Sequence, residues 1–122
     1  MMLPQVMLAL TVVLGLASAN TGRGTVYYQH GVTGSCGQAN PDDAIIAAIG
    51  DSWMDGESPS PYCGRQIQVT NIGSDDQVGG AGNTLTVTVA DTCSTCGPDD
   101  IDFSVGAWDS LTDNAGTFNA QW

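Results

Sequence analysis

The stretch from Asp91 to Trp108 constrains the fold most, because it joins a strand end, a close cysteine pair and a carboxylate just ahead of a helix start. The preceding segment, Thr84 to Ala90, alternates threonine with leucine or valine, which is the period-two pattern of a half-buried strand. Asp91 is the next residue in the series Leu85, Val87, Val89, so its side chain is expected to face the core as theirs do. A carboxylate at the rim of a core must be hydrogen-bonded or have its pKa raised, so Asp91 is a candidate for site chemistry.

The N-terminal segment has the pattern of a secretion signal. An apolar run from Val6 to Leu16 is followed by Ala17-Ser18-Ala19, a small-residue pattern typical of signal-peptidase cleavage. The run is too short to span a bilayer as a stable helix. We therefore expect a signal peptide over residues 1–19 and one secreted domain over 20–122.

The charge balance excludes partners better than it names one. Thirteen acidic residues stand against Arg23, Arg65 and no lysine, which gives a formal net charge of −11. Nucleic-acid backbones and anionic lipid surfaces should repel such a chain, so we expect neither as a partner. The same charge is also explained by the solubility that an extracellular protein needs.

Four cysteines in a short secreted chain predict disulfides. They are Cys36, Cys63, Cys93 and Cys96, for which three pairings are possible. We favour a local Cys93–Cys96 bridge, which leaves Cys36 to close a longer loop with Cys63 and to constrain the unfolded chain by roughly 3 kcal/mol or more. A zinc site needs two close ligand pairs, and the sequence offers only one close cysteine pair and one histidine, His30. We expect no metal and no cofactor.

The remaining pattern predicts a small β-barrel. Strands are expected at Gly22–Tyr28, Arg65–Thr70, Thr84–Ala90 and Thr117–Trp122. A first helix is expected to start at Asn40-Pro41-Asp42-Asp43, which offers a cap residue, a proline at the first helical position and acids at the positive end of the helix dipole. Ile45, Ile46 and Ile49 are expected as its buried face. Ser104 can cap a second short helix that ends at Leu111. Polar loops are expected over 50–61 and 71–83.

Five short motifs, taken in order, resemble one known superfamily. They are Gly22-Arg-Gly-Thr-Val-Tyr27, Gly34-Ser-Cys-Gly37, Tyr62-Cys-Gly64, Val89-Ala-Asp-Thr-Cys93 and Asp102-Phe-Ser-Val-Gly-Ala-Trp108. Together they resemble the double-psi β-barrel domain of the expansin and rare-lipoprotein-A-like superfamily, in particular its small fungal loosenin-like proteins. The resemblance covers essentially the whole of 20–122. It implies a mainly β fold, a six-stranded barrel whose open groove binds wall polysaccharide and weakens its packing without cutting it.

The resemblance also implies which side chains carry the activity. Asp102 matches the aspartate on which expansin activity depends, Asp91 matches a second acidic residue, and Thr25 matches the threonine of the first strand. Taken alone, Asp102 could be an ordinary turn residue and Asp91 could serve only the backbone amides of its own turn. Cys93 stands where the family often has a tyrosine.

The residue at position 29, a glutamine, argues against hydrolysis of a glycosidic bond. The related family 45 endoglucanases carry Thr-X-Tyr-Trp-Asp on the first strand, with the aspartate as general base, whereas this chain ends the same run with Gln29. An amide cannot take the proton of an attacking water, and hydrolysis needs two carboxyl groups. Asp91 could supply a second carboxylate, and lytic transglycosylases of similar fold use one aspartate, so weak glycan cleavage stays an open alternative.

Three aromatic residues are predicted to bind sugar rings. Tyr27 is expected on the same face of the first strand as Thr25, and Tyr28 on the opposite face. Trp53 lies in a polar loop, where it could serve as a stacking platform. Trp108, in contrast, is expected in the core. The expected partner is a cell-wall polysaccharide such as cellulose, xyloglucan or chitin, bound by a monomer. A second hypothesis is a protein-binding module, such as a papain-type protease inhibitor or an effector, that uses the two polar loops.

Overall fold

The computed structural model describes residues 20–55, 59–74, 79–113 and 116–122, so the predicted signal peptide lies outside the described residues. The described part folds into six strands and two short helices. In chain order these are β1 (Thr21–Tyr27), β2 (Ile46–Gly50), α1 (Asp51–Met54), β3 (Gln66–Asn71), β4 (Thr84–Cys93), β5 (Ile101–Ser104), α2 (Val105–Leu111) and β6 (Phe118–Gln121). None of the described helices is long and apolar enough to cross a membrane.

The strands close into a barrel in the order β1-β5-β2-β4-β3-β6. Two pairs, β1 with β5 and β2 with β4, run parallel, and the other neighbours run antiparallel. Every strand therefore has two hydrogen-bonded neighbours, and no open sheet edge is left. The predicted mainly β fold, a six-stranded barrel with two short helices, is confirmed.

The barrel interior is filled by the apolar half of each alternating strand. Val87 and Val89 of β4 are buried, which confirms the inward parity predicted for the first part of this strand. Phe103 of β5 and Phe118 of β6 stack with their ring centroids 5.6 Å apart. Because such rings bury large apolar areas, this pair forms the centre of the core.

The helix predicted from Asn40 does not form. The proline and the acids that suggested a helix start instead make a tight turn, in which the Ala44 amide donates to the Pro41 carbonyl at 3.1 Å. The isoleucine-rich segment after it is β2, in which every residue is buried, while Ile45 stays 38% exposed. A short apolar run that is buried on both faces has no period, so a strand and a helix cannot be distinguished there. The first short helix is α1, inside the loop predicted over 50–61.

The two favoured disulfides are confirmed. Cys36 pairs with Cys63, and this bridge ties the loop after β1 to the segment ahead of β3. Cys93 pairs with Cys96 and closes a local turn at the end of β4. The predicted cap is also present, because the Ser104 hydroxyl accepts the Ala107 amide at the start of α2.

Candidate functional site

Four residues lie side by side across four neighbouring strands. Thr25 of β1 is paired with Asp102 of β5, Asp102 with Ala48 of β2, and Ala48 with Asp91 of β4. Residues paired across strands project from the same face of a sheet. Because the neighbours of Asp102, Ile101 and Phe103, belong to the core, this row of Thr25, Asp102, Ala48 and Asp91 lies on the outer face of the barrel. We call it the polar row.

Asp102 is half-buried and anchored by its neighbour in the row. The Thr25 hydroxyl donates to Asp102 Oδ1 at 2.7 Å. Burial raises the pKa of the Asp102 carboxyl, the Thr25 hydrogen bond opposes that rise, and the nearby charge of Asp91 adds to it. Among the described residues, no group donates a hydrogen bond to Asp102 Oδ2, which leaves an acceptor oxygen for a ligand.

Asp91 reaches the row because the pairing of β4 shifts by one residue. Ala47 is paired with Val89 but Ala48 is paired with Asp91, so Ala90 is skipped. The predicted inward parity of Asp91 is therefore wrong: the extra residue turns its side chain from the core face to the outer face. There Asp91 Oδ1 accepts the backbone amides of Ser35 and Thr92, each at 2.8 Å. Hydrogen bonding is thus how the structure accommodates this half-buried carboxylate.

The methyl group of Ala48 separates the two acids. Ala48 is only 2% exposed, so it forms a floor between the carboxylates. Two strand spacings of about 4.8 Å place the Cα atoms of Asp91 and Asp102 roughly 10 Å apart. The electrostatic influence of Asp91 on Asp102 is consistent with this spacing.

Buried polar atoms without partners lie at the end of β1. The Tyr27 hydroxyl and both side-chain polar atoms of Gln29 are buried, and no group of the described residues meets them with hydrogen-bond geometry. The Gln29 side chain, which is only 6% exposed, is nevertheless near enough to the Tyr27 hydroxyl to interact with it. Burial, followed by the charge of Asp91, raises the pKa of the Tyr27 hydroxyl by more than the neighbouring Gln29 side chain lowers it, so the hydroxyl stays protonated as a donor. Unpaired buried polar groups are unfavourable by about 1–3 kcal/mol each. Their presence marks a place where a hydroxyl-rich ligand would supply the missing bonds.

A cavity of about 260 Å³ opens beside these atoms. Its lining consists of Tyr27, Tyr28, Gln29, His30, Val32, Thr33 and Asp91. The two predicted tyrosines therefore share one cavity, and Asp91 joins it to the polar row. We call the cavity together with the polar row the furrow.

A strained turn holds an aromatic platform at the mouth of the furrow. His30 has a φ of 52°, a left-handed conformation that is uncommon for residues other than glycine. The Asp42 carboxylate stabilises this turn by accepting the amides of Gln29 at 2.8 Å and His30 at 3.2 Å. The His30 ring stacks on Tyr28 at 5.6 Å, and Tyr28 is 60% exposed. An exposed, supported ring face of this kind can stack on a sugar ring.

Trp53 lies elsewhere. It belongs to α1, makes edge contacts with Tyr62 and Trp122, and donates its indole N–H to the Pro98 carbonyl at 2.6 Å. The structure thus assembles five of the predicted residues around the furrow, namely Thr25, Tyr27, Tyr28, Asp91 and Asp102, and places Trp53 in a separate aromatic cluster. Trp108 packs against the core, as predicted.

Sequence reasoning missed the contribution of three residues. The sequence pattern marks Gln29 only as the replacement of a base, His30 only as a lone metal ligand, and Asp42 only as part of a helix start. The signal that could have found them is the polar run directly after the first strand, where a turn must follow. Within the described ranges, no group of three or more histidine, cysteine, aspartate or glutamate side chains could hold a metal ion.

Comparisons with known proteins agree with this architecture. The chain is similar to the apo expansin of Clavibacter michiganensis and to an aspartate-to-asparagine mutant of it in complex with cellohexaose, each with a TM-score of 0.66 and 28% identity over 84% of this chain and 48% of that chain. It thus spans about half the length of those expansins. It is also similar to a Streptomyces papain inhibitor, with a TM-score of 0.65 and 27% identity over 86% of this chain and 93% of that chain. No protein-family model and no curated protein sequence matches. The predicted resemblance to the expansin-like double-psi β-barrel is confirmed.

Proposed function

We propose that this protein is secreted, binds a neutral cell-wall polysaccharide in the furrow and loosens polymer packing without cutting a bond. The observation that carries the proposal is the alignment of Thr25, Asp102 and Asp91 in one row beside the unpaired polar atoms of Tyr27 and Gln29. The two disulfides are consistent with an oxidising extracellular compartment. The cellohexaose complex of the similar expansin supports a β-glucan as the ligand class.

Loosening follows from an exchange of hydrogen bonds. The furrow offers acceptors on Asp102 and Asp91, a donor on Tyr27 and both kinds of group on Gln29. Each bond to a sugar hydroxyl would contribute only about 1 kcal/mol net. Several of them, with stacking on Tyr28, would compensate the contacts that a glucan chain loses when it separates from its neighbour. The gain is spread over many weak contacts, so binding is expected to be reversible.

Cleavage of a glycosidic bond would need a general base at the end of β1, where this chain has an amide. Asp102, protonated more readily than an ordinary aspartate, could act as an acid, but the end of β1 carries the amide of Gln29 where the related hydrolases carry a base. Asp91 holds two backbone amides on one oxygen, which fixes its carboxylate in place. The furrow is therefore better suited to hold hydroxyl groups than to activate water.

A binding and release assay tests the proposal. Purified protein is incubated with insoluble cellulose, xyloglucan-coated cellulose, chitin and a polyuronate gel, and both depletion from solution and soluble reducing ends are measured. We expect depletion by at least one neutral polymer, less by the polyuronate because both partners are anionic, and no reducing ends. Release of reducing ends that disappears in an Asp102→Asn or Asp91→Asn variant would establish the lytic alternative instead.

A protein-binding role is the second candidate. The observation that favours it is the similarity to the Streptomyces papain inhibitor, with a TM-score of 0.65 and 27% identity over 86% of this chain. The parts available for such a role are the polar loops between β2 and β3 and between β3 and β4. Submicromolar inhibition of papain without depletion by any glycan would support this role and exclude the first proposal.

A further inference from the structure

A second cavity, of about 230 Å³, shares no lining residue with the furrow and is bordered by Trp122 and by the start of β3. Trp53, Tyr62 and Trp122 wall it with aromatic rings, Ile49, Ile67 and Val89 form its base, and Arg65 and Gln66 lie at its polar edge. Trp53 contacts the other two rings edge-on, with centroid distances of 5.6 and 5.8 Å. We call this cavity the aromatic pocket.

The walls of the aromatic pocket have no indole donor to offer a ligand. Trp53 donates its N–H to the Pro98 carbonyl at 2.6 Å, and Trp122 donates to the Asp99 carbonyl at 2.9 Å. These two bonds to adjacent carbonyls fix both rings. A sugar held between these rings would lose water from its hydroxyl groups and find partners mainly on Arg65 and Gln66 at the polar edge, which is unfavourable. The pocket therefore suits an apolar group, unlike the furrow.

Arg65 places a positive charge at the mouth. Its guanidinium lies 5.5 Å from the centroid of the Tyr62 ring. The other arginine, Arg23, has a carboxylate partner in Asp100 at 3.9 Å, but across the described ranges no carboxylate lies within 4.0 Å of the Arg65 guanidinium. In a chain of net charge −11, a cation with no carboxylate partner among the described residues is a distinct feature, and it lies beside an apolar cavity.

We propose that the aromatic pocket binds a small aromatic monocarboxylate, with the ring between Trp53, Tyr62 and Trp122 and the carboxylate on Arg65. The volume fits, because a dry apolar cavity of about 150 Å³ holds a benzene ring, whereas drug-sized ligands occupy roughly 300–1,000 Å³. A guanidinium pairs with a carboxylate through two parallel hydrogen bonds. A free acid fits better than the end of a polypeptide, whose amide groups would need partners that the walls lack.

Binding of 3-phenylpropionate to the whole protein, followed by NMR, tests this assignment. We expect saturable binding with a Kd of about 0.1–1 mM. The indole N–H signals of Trp53 and Trp122 should shift, while that of Trp108, which is bonded to the Gly116 carbonyl outside the pocket, should not. The neutral amide of the same compound should bind about tenfold more weakly, because hydrogen bonds to charged groups exceed neutral ones by about 1–1.5 kcal/mol.

Two variants separate the pocket from the furrow. Arg65→Gln changes an exposed side chain and should reduce the affinity for the acid to that for the amide. Asp102→Asn should leave binding of the acid unchanged, so the result is independent of the glycan proposal. Equal affinities for acid and amide in the unaltered protein, shifts confined to other residues, or no saturable binding up to about 10 mM would overturn the assignment.

Discussion

Replacing Asp102 with asparagine gives the sharpest test of the furrow, because it removes one charge and leaves the shape of the side chain almost unchanged. The amide oxygen can still accept the Thr25 hydroxyl that now donates to Asp102 at 2.7 Å. The barrel should therefore fold as before. What is lost is the ionised acceptor that a sugar hydroxyl would contact.

The size of the loss can be worked from that contact. Hydrogen bonds to charged groups contribute about 1.5–3 kcal/mol and neutral ones about 0.5–1.5 kcal/mol, so the change should weaken glucan binding by about 1–1.5 kcal/mol. At 1.4 kcal/mol per factor of ten, this is about a five- to twelvefold increase in Kd. Depletion isotherms on the glucan that the wild-type protein binds best, together with loosening of cellulosic paper, measure it.

Although Asp102→Asn should weaken binding, it should increase the stability of the fold relative to the wild type as pH rises. Burial raises the folded-state pKa of the Asp102 carboxyl above its ordinary value, so between the two values the folded protein holds more protons than the unfolded chain. The free energy of unfolding that this group contributes is therefore highest at acid pH and is lost as pH rises through the folded-state pKa. The asparagine variant has no such loss. Its stability relative to the wild type should rise between about pH 3 and neutral pH in urea unfolding.

Asp109→Asn is the matched control, because it removes the same charge from an exposed residue of α2. This variant should bind glucan as the wild type does. If Asp102→Asn bound within twofold of the control, or if its relative stability fell as pH rose, the role assigned to the half-buried carboxylate would be refuted.

Three further changes have defined outcomes. Gln29→Leu should raise the free energy of unfolding in urea by about 1–2 kcal/mol, because it removes unpaired buried polar atoms. The same change should weaken glucan binding. A loss of stability would mean that the amide has protein partners. Replacing Cys36 and Cys63 together by alanine should lower the unfolding free energy by about 3–4 kcal/mol, since the bridge closes a separation of 27 residues; a loss below about 1 kcal/mol would contradict the loop estimate. Gly24→Ala should cost about 1–3 kcal/mol in thermal unfolding, because its Cβ would lie 2.5 Å from the Phe118 ring, and an unchanged Tm would show that the ring can move.

Local patterns predicted the elements whose structure is decided locally. The alternation before Asp91 gave β4 its core face, the Ser104 hydroxyl caps α2, and the close spacing of Cys93 and Cys96 produced a local bridge. In each case the determining contacts lie within a few residues along the chain, so the sequence alone carries the information.

The strands β2 and β5 were not predicted as strands because their environment is set by distant partners. All five residues of β2 are buried, so no alternation marks it. Asp102 was read as a residue ahead of a helix, yet it lies inside β5, which is only four residues long. The resemblance supplied Thr25, Asp91 and Asp102, but their alignment in one row depends on pairings between strands far apart in sequence. The cluster of Gln29, His30 and Asp42 depends on a long-range contact of the same kind.

The skipped pairing at Ala90 makes the length of β4 part of the binding chemistry. The alternate residues of β4 before Ala90 pack inside the barrel, whereas the Asp91 side chain lies on its outer face, and the single unpaired residue Ala90 causes this change of face. A deletion at this point would leave the hydropathy profile nearly unaltered while rotating the acid away from Ala48. Homologues that differ here by one residue would keep the barrel fold but would no longer place the Asp91 carboxylate in the polar row. An insertion or deletion at this position would therefore distinguish homologues that bind the ligand from homologues that share only the fold.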